Sequence, residues 1–195
     1  MRIQNTQIVL ENRQVDAEIQ IFEKRDWQTI KSLYENWVSL STLHKEMRGR
    51  GINLPEVISE GVFCLEFECA RFLGSSGGIR TSFDCLDLNL LKRIQVKATS
   101  VAYDLSTFGP KSVWDDLYLV HFLPNGVLDG SYEVYKIDND LIYNHKVNTN
   151  ETFRDQQATG KRPRLSLMKE LIIPNGILPF KVGNIFDIAQ SSLET

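Results

Sequence analysis

The residues best suited to chemistry lie within residues 80–101, where an acidic side chain precedes two polar side chains of fixed spacing. The pattern predicts two short strands joined by a turn, with Asp84 on the first strand and Gln95 and Lys97 on the second. Alternate side chains on a strand share one face, so Gln95 and Lys97 point to the same side. Asp84 alternates with the apolar residues of its own strand and can therefore face that side as well.

These residues offer the donor types that a divalent metal ion needs. The Asp84 carboxylate, the Gln95 amide and the main-chain carbonyl of Val96 all present oxygen, which Mg²⁺ prefers as a ligand. A metal ion beside a phosphodiester binds a phosphate oxygen and lowers the pKa of an attacking water. Lys97 can orient that water or offset charge in the transition state. The pattern indicates a nuclease, although the ordinary polar face of a hairpin explains the same residues.

A further carboxylate is predicted on the helix that precedes the hairpin. Residues 55–73 have helical spacing, and Glu66 falls inside their apolar stripe. A carboxylate on a buried face is costly unless it is paired or binds a cation. Glu66 is therefore either a third acidic ligand that reaches the hairpin or half of a buried pair with an arginine such as Arg71 or Arg80. The apolar stripe consists of Ile58, Val62, Leu65, Cys69 and Leu73.

The other patterns predict a mixture of strands and helices. Residues 3–10 and 15–22 favour an opening strand pair, and Asp26 is expected to cap a helix that ends near Met47. After the hairpin come a loop over 104–111, strands over 117–122, 132–137 and 140–147, and a helix over 166–172. The first helix is expected to face the core through Trp27, Ile30, Leu33, Tyr34, Trp37, Leu40, Ser41 and His44.

Length and composition limit the class of protein. A chain of 195 residues with a net charge of −3 fits a single domain over 1–195. No long uncharged apolar run is present, so we expect no membrane span, and the amino-terminal residues lack a signal-peptide core. The spacing of Cys64, Cys69 and Cys85 matches neither a zinc knuckle nor a redox pair, which favours buried, reduced thiols.

The order of these elements resembles a known nuclease core. A helix with a glutamate, a strand with an acid and a strand with acid-or-Gln-x-Lys are similar to the core of the PD-(D/E)XK nucleases. More widely, the chain resembles the small type II restriction endonucleases that cut an interrupted GCNGC site. The matching stretches lie between Asn53 and Arg164 and are NLPEVISEGVFCLEF, SFDC, RIQVKA, DLSTFGPKSVWD, YKIDNDLIYNHKVN and TFRDQQATGKRPR.

The resemblance implies an α/β (α+β) fold with a restriction-endonuclease-like core, in which helices flank a mixed central sheet. It makes Asp84 the metal-binding aspartate, places Gln95 at the second acidic position and makes Lys97 the catalytic lysine, with Mg²⁺ as cofactor. Glu66 is the first candidate for the helix carboxylate and Glu60 the second. The neutral Gln95 departs from the family pattern, so metal affinity is expected to fall unless Glu66 compensates.

A basic cluster, defined as Lys161, Arg162 and Arg164, lies in the segment 148–170, which is the expected DNA-recognition element. Arginine pairs with two acceptors of guanine in the major groove, which suits a GC-rich target. Pro163 disfavours a helix in the cluster and favours an extended loop. The predicted DNA-contacting residues are Lys111, Arg154, Gln156, Gln157, Lys161, Arg162 and Arg164.

The resemblance also implies partners and a setting. We expect a cytoplasmic bacterial enzyme that cuts both strands of double-stranded DNA, with a cognate DNA methyltransferase in the same system. A palindrome is most simply read by a two-fold symmetric homodimer. Two alternatives stay open. One is a structure-specific repair or junction nuclease on the same core, and the other is a relative that binds DNA without cutting because Gln95 is neutral.

Overall fold

The computed structural model describes residues 1–10, 13–75, 82–102 and 104–187, with Leu10 described by its main chain only. Arg80, one of the arginines considered as a partner of Glu66, lies outside these residues. So does the end of the chain after residue 187, which the sequence predicts to be loosely packed.

A large mixed sheet forms the centre of the described chain. Its eight strands run in the order β1-β2-β3-β4-β5-β7-β8-β10, and β5 and β7 are its parallel neighbours while the other neighbours are antiparallel. Two further short strands, β6 and β9, pair with each other. The strands are β1 Arg2–Leu10, β2 Arg13–Ile21, β3 Ala70–Ser75, β4 Cys85–Asp87, β5 Lys92–Thr99, β6 Ser106–Thr107, β7 Asp116–His121, β8 Ser131–Ile137, β9 Arg164–Leu165 and β10 Lys181–Asn184.

Helices cover both faces of this sheet. Alternate residues of β7 divide between two cores, with Tyr118 in one and Leu119 in the other. The first core packs under the two long helices and the second under the short carboxy-terminal helices. This arrangement confirms the predicted fold class. The helices are α1 Trp27–Glu46, α2 Glu56–Phe67, α3 Asn139–Asn144 and α4 Phe153–Ala158, with a 3₁₀ turn at Lys24–Asp26 and a π-helix at Leu167–Ile172.

The opening strand pair and α1 are confirmed, but α1 buries a narrower stripe than predicted. Its buried residues are Trp27, Ile30, Tyr34, Trp37 and Ser41. Leu33 and Leu40 are 39% and 54% exposed and His44 is also exposed, because these residues lie beside the stripe that contacts the sheet. Asp26 lies at the start of α1, but its carboxylate accepts from the Glu23 N–H instead of capping the helix.

The second helix is shorter than predicted. It ends at Phe67, and Glu68 adopts a left-handed conformation with φ 52° before the chain enters β3. The prediction of helix up to Leu73 is wrong, because residues 70–75 hydrogen-bond to the strands on either side instead of to their own turn. A short apolar run fits both periods, so its neighbours in the sheet decide its structure.

The elements after the hairpin agree with the predictions made from the sequence except at two positions in the chain. Strands β7 and β8 and the helix after Ser166 are confirmed, and that helix is of the π type. Residues 139–144 form α3 instead of the predicted strand, because the Asp138 side chain accepts from the Asp140 and Leu141 N–H groups at 2.8 and 3.1 Å. The expected loop over 104–111 contains β6. No described helix has the length and apolarity to cross a membrane.

Candidate active site

The predicted hairpin is present, and the Asp84 main chain forms hydrogen bonds with a strand on each side of it. Strands β4 and β5 are antiparallel, with Cys85 opposite Ile94. Immediately before β4, the Asp84 main chain donates to the Ile94 carbonyl at 3.0 Å and accepts from the Phe72 N–H at 2.8 Å. Asp84 is therefore fixed between β3 and β5 in the middle of the sheet.

The structure brings Asp84, Gln95 and Val96 together, but with different atoms from those expected. Asp84 Oδ2 accepts from the Val96 N–H at 2.8 Å and from the Gln95 side-chain amide. Gln95 is only 2% exposed, so the polar face of β5 is covered at this point. The amide nitrogen of Gln95 and the N–H of Val96 orient the carboxylate, whereas the sequence analysis assigned their oxygens to a metal ion.

Lys97 lies on the same strand beside this carboxylate. Burial raises the pKa of Asp84 above its usual range, and the positive charge of Lys97 opposes that increase. The Lys97 ammonium also lies 5.1 Å from the centroid of the buried Phe108 ring, within the range of a cation–π contact. This aromatic contact was not predicted from the sequence, and it limits the positions that the Lys97 ammonium can take beside Asp84.

Glu66 lies away from this group. Its carboxylate accepts from the Tyr132 hydroxyl and pairs with Lys181 at 2.9 Å, and these partners belong to β8 and β10. Strand β8 is three places from β4 in the sheet, or roughly 14 Å at a spacing of about 4.8 Å per strand. The expectation that Glu66 reaches the hairpin is corrected. The alternative of a buried pair describes Glu66 better, with Lys181 in place of an arginine.

Glu60 is the helix carboxylate that lies near Asp84. It is 9% exposed and forms an ion pair with Arg71 of β3, which also approaches Glu56 at 3.8 Å. Burial raises the pKa of Glu60 to about 7, despite the Arg71 hydrogen bond and with a further contribution from the Asp84 charge. The structure thus makes the second candidate the better placed one.

The sequence contains a weak signal for Glu60 that the apolar stripe of α2 obscures. The amino-terminal half of α2 is buried from Ile58 to Cys64, so a glutamate there is enclosed whichever way it points. Gly61 is the local sign of close packing, because a Cβ at this position would lie 2.6 Å from Ile30. The distribution of apolar residues around the helix could not show which end of it meets β4.

The donor chemistry of this group fits a hard divalent cation. Glu60 and Asp84 are two enclosed carboxylates whose pKa values are both raised by burial, and their negative charges repel each other. A bound cation would offset that repulsion, and carboxylate oxygens are the ligands that Mg²⁺ prefers. The arrangement can hold one such ion between α2 and the hairpin.

A cavity of about 460 Å³ opens beside Lys97. It is lined by residues 51–54, 97–101 and 104–107. Strand β6, which forms part of the cavity wall, pairs with β9. In this pairing Thr107 of β6 lies opposite Arg164 of the basic cluster. The Phe108 N–H also donates to the Pro163 carbonyl at 3.0 Å. Lys97 therefore lines a cavity whose wall is paired with one strand of the predicted recognition segment.

The predicted DNA-contacting residues divide into two groups. Lys111, Arg162 and Arg164 are exposed, and within the described residues their side chains have no hydrogen bond or ion pair. The other four are engaged. Lys161 pairs with Glu151, Gln156 donates to Glu151 at 3.2 Å, Arg154 lies 5.3 Å from the Tyr143 ring centroid, and Gln157 donates to the carbonyls of Gly109 at 3.0 Å and Ser112 at 3.3 Å.

The cysteines are buried free thiols, as predicted, but they also lie together. The Cys64 sulfur lies 3.5 Å from Cys85 and 3.6 Å from Cys69. Burial raises the pKa of Cys64 and Cys85, while hydrogen bonding with Cys64 first, and with Cys85 second, lowers the pKa of Cys69 to about 5. The sequence spacing gave no sign of this cluster.

Comparison with known proteins identifies the family of this chain. The family model for the Bsp6I restriction endonuclease matches residues 22–174, which include α1, the hairpin and the basic cluster. The chain belongs to the Bsp6I restriction endonuclease family. The type II restriction enzyme Bsp6I of Bacillus sp. (strain RFL6) is 35% identical to it over 162 residues, which cover 80% of this chain and 87% of the relative. No solved structure shows significant similarity to the chain.

The match to the Bsp6I family confirms the resemblance inferred from the sequence. Membership supports a nuclease that cleaves DNA at specific sites. The matched region contains Glu60, Arg71, Asp84, Gln95 and Lys97, so every residue of the candidate site lies within it.

Proposed function

We propose that this protein is a Mg²⁺-dependent type II deoxyribonuclease that cuts both strands of DNA at a short GC-rich palindrome of the GCNGC type. The observation that carries the proposal is the position of Asp84, which lies near Glu60 and Lys97 between α2 and the hairpin. Lys97 lines the cavity whose wall is paired with the basic cluster. A site-specific nuclease requires catalytic residues linked to a DNA-binding segment, and Lys97 on the cavity wall provides that link here.

In the proposed site, Asp84 and Glu60 supply the charged oxygens. When bound, Mg²⁺ would polarise a phosphate oxygen and lower the pKa of the attacking water. Val96 and Gln95 orient the Asp84 carboxylate by hydrogen bonds, and the ion pair with Arg71 joins Glu60 of α2 to β3. The Gln95 amide oxygen and the Val96 carbonyl remain candidates for neutral ligands. These assignments follow the pattern of the PD-(D/E)XK nucleases, with Glu60 as the helix carboxylate.

Lys97 acts on the substrate side in this proposal. It lies on the cavity wall, where a phosphodiester can approach, and the Phe108 ring limits its movement. A preorganised cation offsets the negative charge that develops on the phosphoryl oxygens during hydrolysis. Its neighbour in the sheet, Leu119 of β7, is apolar and buried, so the ammonium has no competing partner from that strand.

The unpaired basic residues are the best candidates for DNA contacts. Arg162 and Arg164 are exposed and free to form bidentate hydrogen bonds with guanine, and Lys111 can neutralise a phosphate. Gln157 is better described as a positioning residue, because it holds the loop from Gly109 to Ser112 that carries Lys111. The segment 148–170 thus contains both contacting and supporting residues.

The proposal includes an assembly and a cellular setting. A homodimer would place one active site on each strand of a palindromic target. Each protomer would contribute a single nuclease domain over 1–195. A cognate DNA methyltransferase would protect host DNA at the same sequence, and both proteins would act in the bacterial cytoplasm.

A plasmid assay tests this function directly. Purified protein is incubated with Mg²⁺ and two plasmids that differ only in the presence of GCNGC sites, and the ends are mapped at base resolution. We expect discrete fragments whose ends coincide with these sites and which are absent when a chelator is present. Cleavage at unrelated sequences would contradict the proposed target.

Two other outcomes are open to the same assay, one from the shared nuclease core and one from the neutral Gln95. Preferential cutting of branched DNA over the linear palindrome would indicate a repair or junction nuclease. Tight DNA binding without any cleavage, in protein that binds Mg²⁺, would indicate a non-cleaving relative. Replacing Lys97 by alanine distinguishes the cases, because only a catalytic protein loses an activity.

A further inference from the structure

All three cysteines of the chain meet in one buried cluster, although they come from three separate elements. Cys64 lies in α2, Cys69 precedes β3, and Cys85 begins β4. They are 2%, 5% and 0% exposed, respectively. Neighbouring sulfurs lie 3.5 and 3.6 Å apart, and all three sulfurs are within 4.8 Å of one another. The fold, and not the sequence spacing, brings them together.

The separations of the sulfurs are close to those of ligands around one metal ion. Metal–thiolate bonds of about 2.3 Å place two sulfurs roughly 3.7 to 4.0 Å apart, in tetrahedral or trigonal geometry. The two observed separations, 3.5 and 3.6 Å, are close to this range. A disulfide needs a sulfur separation of about 2.05 Å, so the cluster would have to contract considerably to form one. The present arrangement is closer to a shared ion than to a covalent bond.

The ligand chemistry also separates this cluster from the proposed Mg²⁺ site. Thiolates select soft or borderline ions such as Cu⁺ and Zn²⁺, whereas Mg²⁺ takes oxygen ligands. Within the part of the chain that the structure describes, no histidine or carboxylate joins the three sulfurs at ligand distance. The surrounding residues Ile94 and Val96 are buried and apolar, which keeps water from the sulfurs.

We propose that Cys64, Cys69 and Cys85 bind one thiophilic metal ion, Zn²⁺ or Cu⁺, through three thiolate sulfurs. Binding forms three metal–sulfur bonds, and any protons still on the thiols pass to solvent. The site is structural, because it crosslinks α2 to β3 and β4 behind the proposed nuclease residues. Glu60 precedes Cys64 by one helical turn and Asp84 directly precedes Cys85, so the crosslink fixes both carboxylates.

Metal titration of the full chain tests the proposal. Metal-free protein is prepared under reducing, anaerobic conditions and titrated separately with Zn²⁺, Cu⁺ and, as an ultraviolet-active probe, Cd²⁺. Native mass spectrometry should show one ion per chain, and Cd²⁺ should produce a thiolate charge-transfer band that excess Mg²⁺ does not remove. The cluster contains every cysteine of the chain, so protection from a thiol reagent reports on this site alone.

Substitutions identify the ligands. Cys69→Ser changes the thiol that lies between α2 and β3. It should weaken Cd²⁺ binding by more than about a hundredfold, the upper end of what loss of an outer hydrogen-bonding partner costs. Glu60→Gln is the matched control, since it keeps all three thiols and should retain Cd²⁺ binding while Mg²⁺ binding falls. Circular dichroism verifies that each variant is folded.

Several outcomes would overturn the proposal. One is the failure of folded, reduced wild-type protein to take up one equivalent of Zn²⁺ or Cu⁺. Another is unchanged Cd²⁺ binding in folded Cys69→Ser and Cys85→Ser proteins. If the substituted proteins do not fold, the reaction of the wild-type cysteines with a thiol reagent is measured instead. Reaction of all the thiols in the presence of metal would count against the site. A Cys64–Cys85 disulfide formed in air, with no metal uptake by the reduced protein, would replace the metal site with a redox pair.

Discussion

The Val96 N–H donates to Asp84 Oδ2 at 2.8 Å, which joins the two strands of the hairpin through the side chain of its acidic residue. Because the donor is a main-chain group, the Asp84 carboxylate keeps one orienting partner whatever side chain occupies position 95. The second donor, the Gln95 amide, can therefore be replaced without releasing Asp84.

Replacing Gln95 by glutamate should have opposite effects in the absence and the presence of Mg²⁺. Without metal, the loss of a buried hydrogen bond and the added charge should lower the free energy of unfolding by about 1–3 kcal/mol. With metal, the additional carboxylate should raise Mg²⁺ affinity by about tenfold, or about 1.4 kcal/mol. Urea unfolding with and without Mg²⁺ measures both effects. Gln95→Met loses the same hydrogen bond without adding charge, so a gain in Mg²⁺ affinity there would contradict the explanation.

Lys97→Ala should greatly slow cleavage while DNA binding persists. Loss of one preorganised charge at a developing anion typically costs about 10²–10³ in rate. Single-turnover cleavage measures the rate, and DNA binding measured with Ca²⁺ in place of Mg²⁺ measures affinity. Lys92→Ala is the control on the same strand, because Lys92 pairs with Asp116 at 3.1 Å, away from Asp84. Equal loss of activity in both variants would show that Lys97 has no special role.

Substitution of Glu60 should affect Mg²⁺ binding and cleavage, whereas substitution of Glu66 should affect only stability. Glu60→Gln should greatly weaken Mg²⁺ binding and cleavage, because it removes one of two enclosed carboxylates. Glu66→Gln should leave cleavage near the wild-type rate and cost at most about 1 kcal/mol of stability, since its partner Lys181 is partly exposed. Calorimetric Mg²⁺ titration and urea unfolding of the two variants separate these effects. The reverse pattern would restore Glu66 as the metal ligand.

The raised pKa of Glu60 should make stability and Mg²⁺ binding respond to pH in opposite directions. The folded protein holds this proton more tightly than the unfolded chain, with a pKa of about 7 against an ordinary value of 4.5. The stabilisation is complete below the ordinary value and is lost as pH rises through about 7. Mg²⁺ needs the deprotonated carboxylate, so its affinity should rise over the same interval. Urea unfolding in chelator and Mg²⁺ titration at several pH values test this.

Glu60→Gln provides the control for that pH dependence. The variant lacks the titrating group, so both trends should become shallower between about pH 5 and pH 8. Asp84, whose pKa is also raised by burial, should leave a smaller trend of the same sign. An unchanged slope in the variant would assign the titration to another group.

Arg164→Ala should weaken DNA binding and relax the choice of sequence. A bidentate arginine–guanine contact contributes about 1–3 kcal/mol of discrimination against the wrong base. Competition binding with matched and single-substituted duplexes measures that discrimination. Lys161→Ala is the matched control from the same cluster, because Lys161 already pairs with Glu151. Loss of affinity without any change in discrimination would make Arg164 a phosphate contact instead.

Local sequence patterns predicted the elements whose structure depends on residues close together in the chain. The hairpin follows from the alternation within residues 82–99, and α1 follows from side chains at helical spacing. The end of α2 and the existence of β3 depend on strands far away in sequence, so periodicity alone could not show them. Asp138, the cap of α3, was a local signal that the sequence analysis overlooked.

The residues of the candidate site also divide into those placed by local sequence and those brought together by tertiary packing. Asp84, Gln95 and Lys97 lie on one hairpin, so their proximity could be expected from strand geometry alone. Glu60 and Arg71 become neighbours only when α2 packs on the sheet, and no spacing rule relates them to Asp84. The cysteine cluster is likewise created by packing.

The parallel pairing of β5 with β7 has a consequence for how such a protein can change its target. Parallel neighbours cannot be joined by a tight turn and require a connection of about a dozen residues or more. Here that connection is residues 100–115, which form much of the cavity wall and include β6, the partner of β9. The fold thus requires a long connection beside Lys97 and the other proposed catalytic residues. Because β6 of that connection pairs with β9, we expect substitutions in the connection to shift the position of the proposed recognition residue Arg164 while the hairpin stays constant.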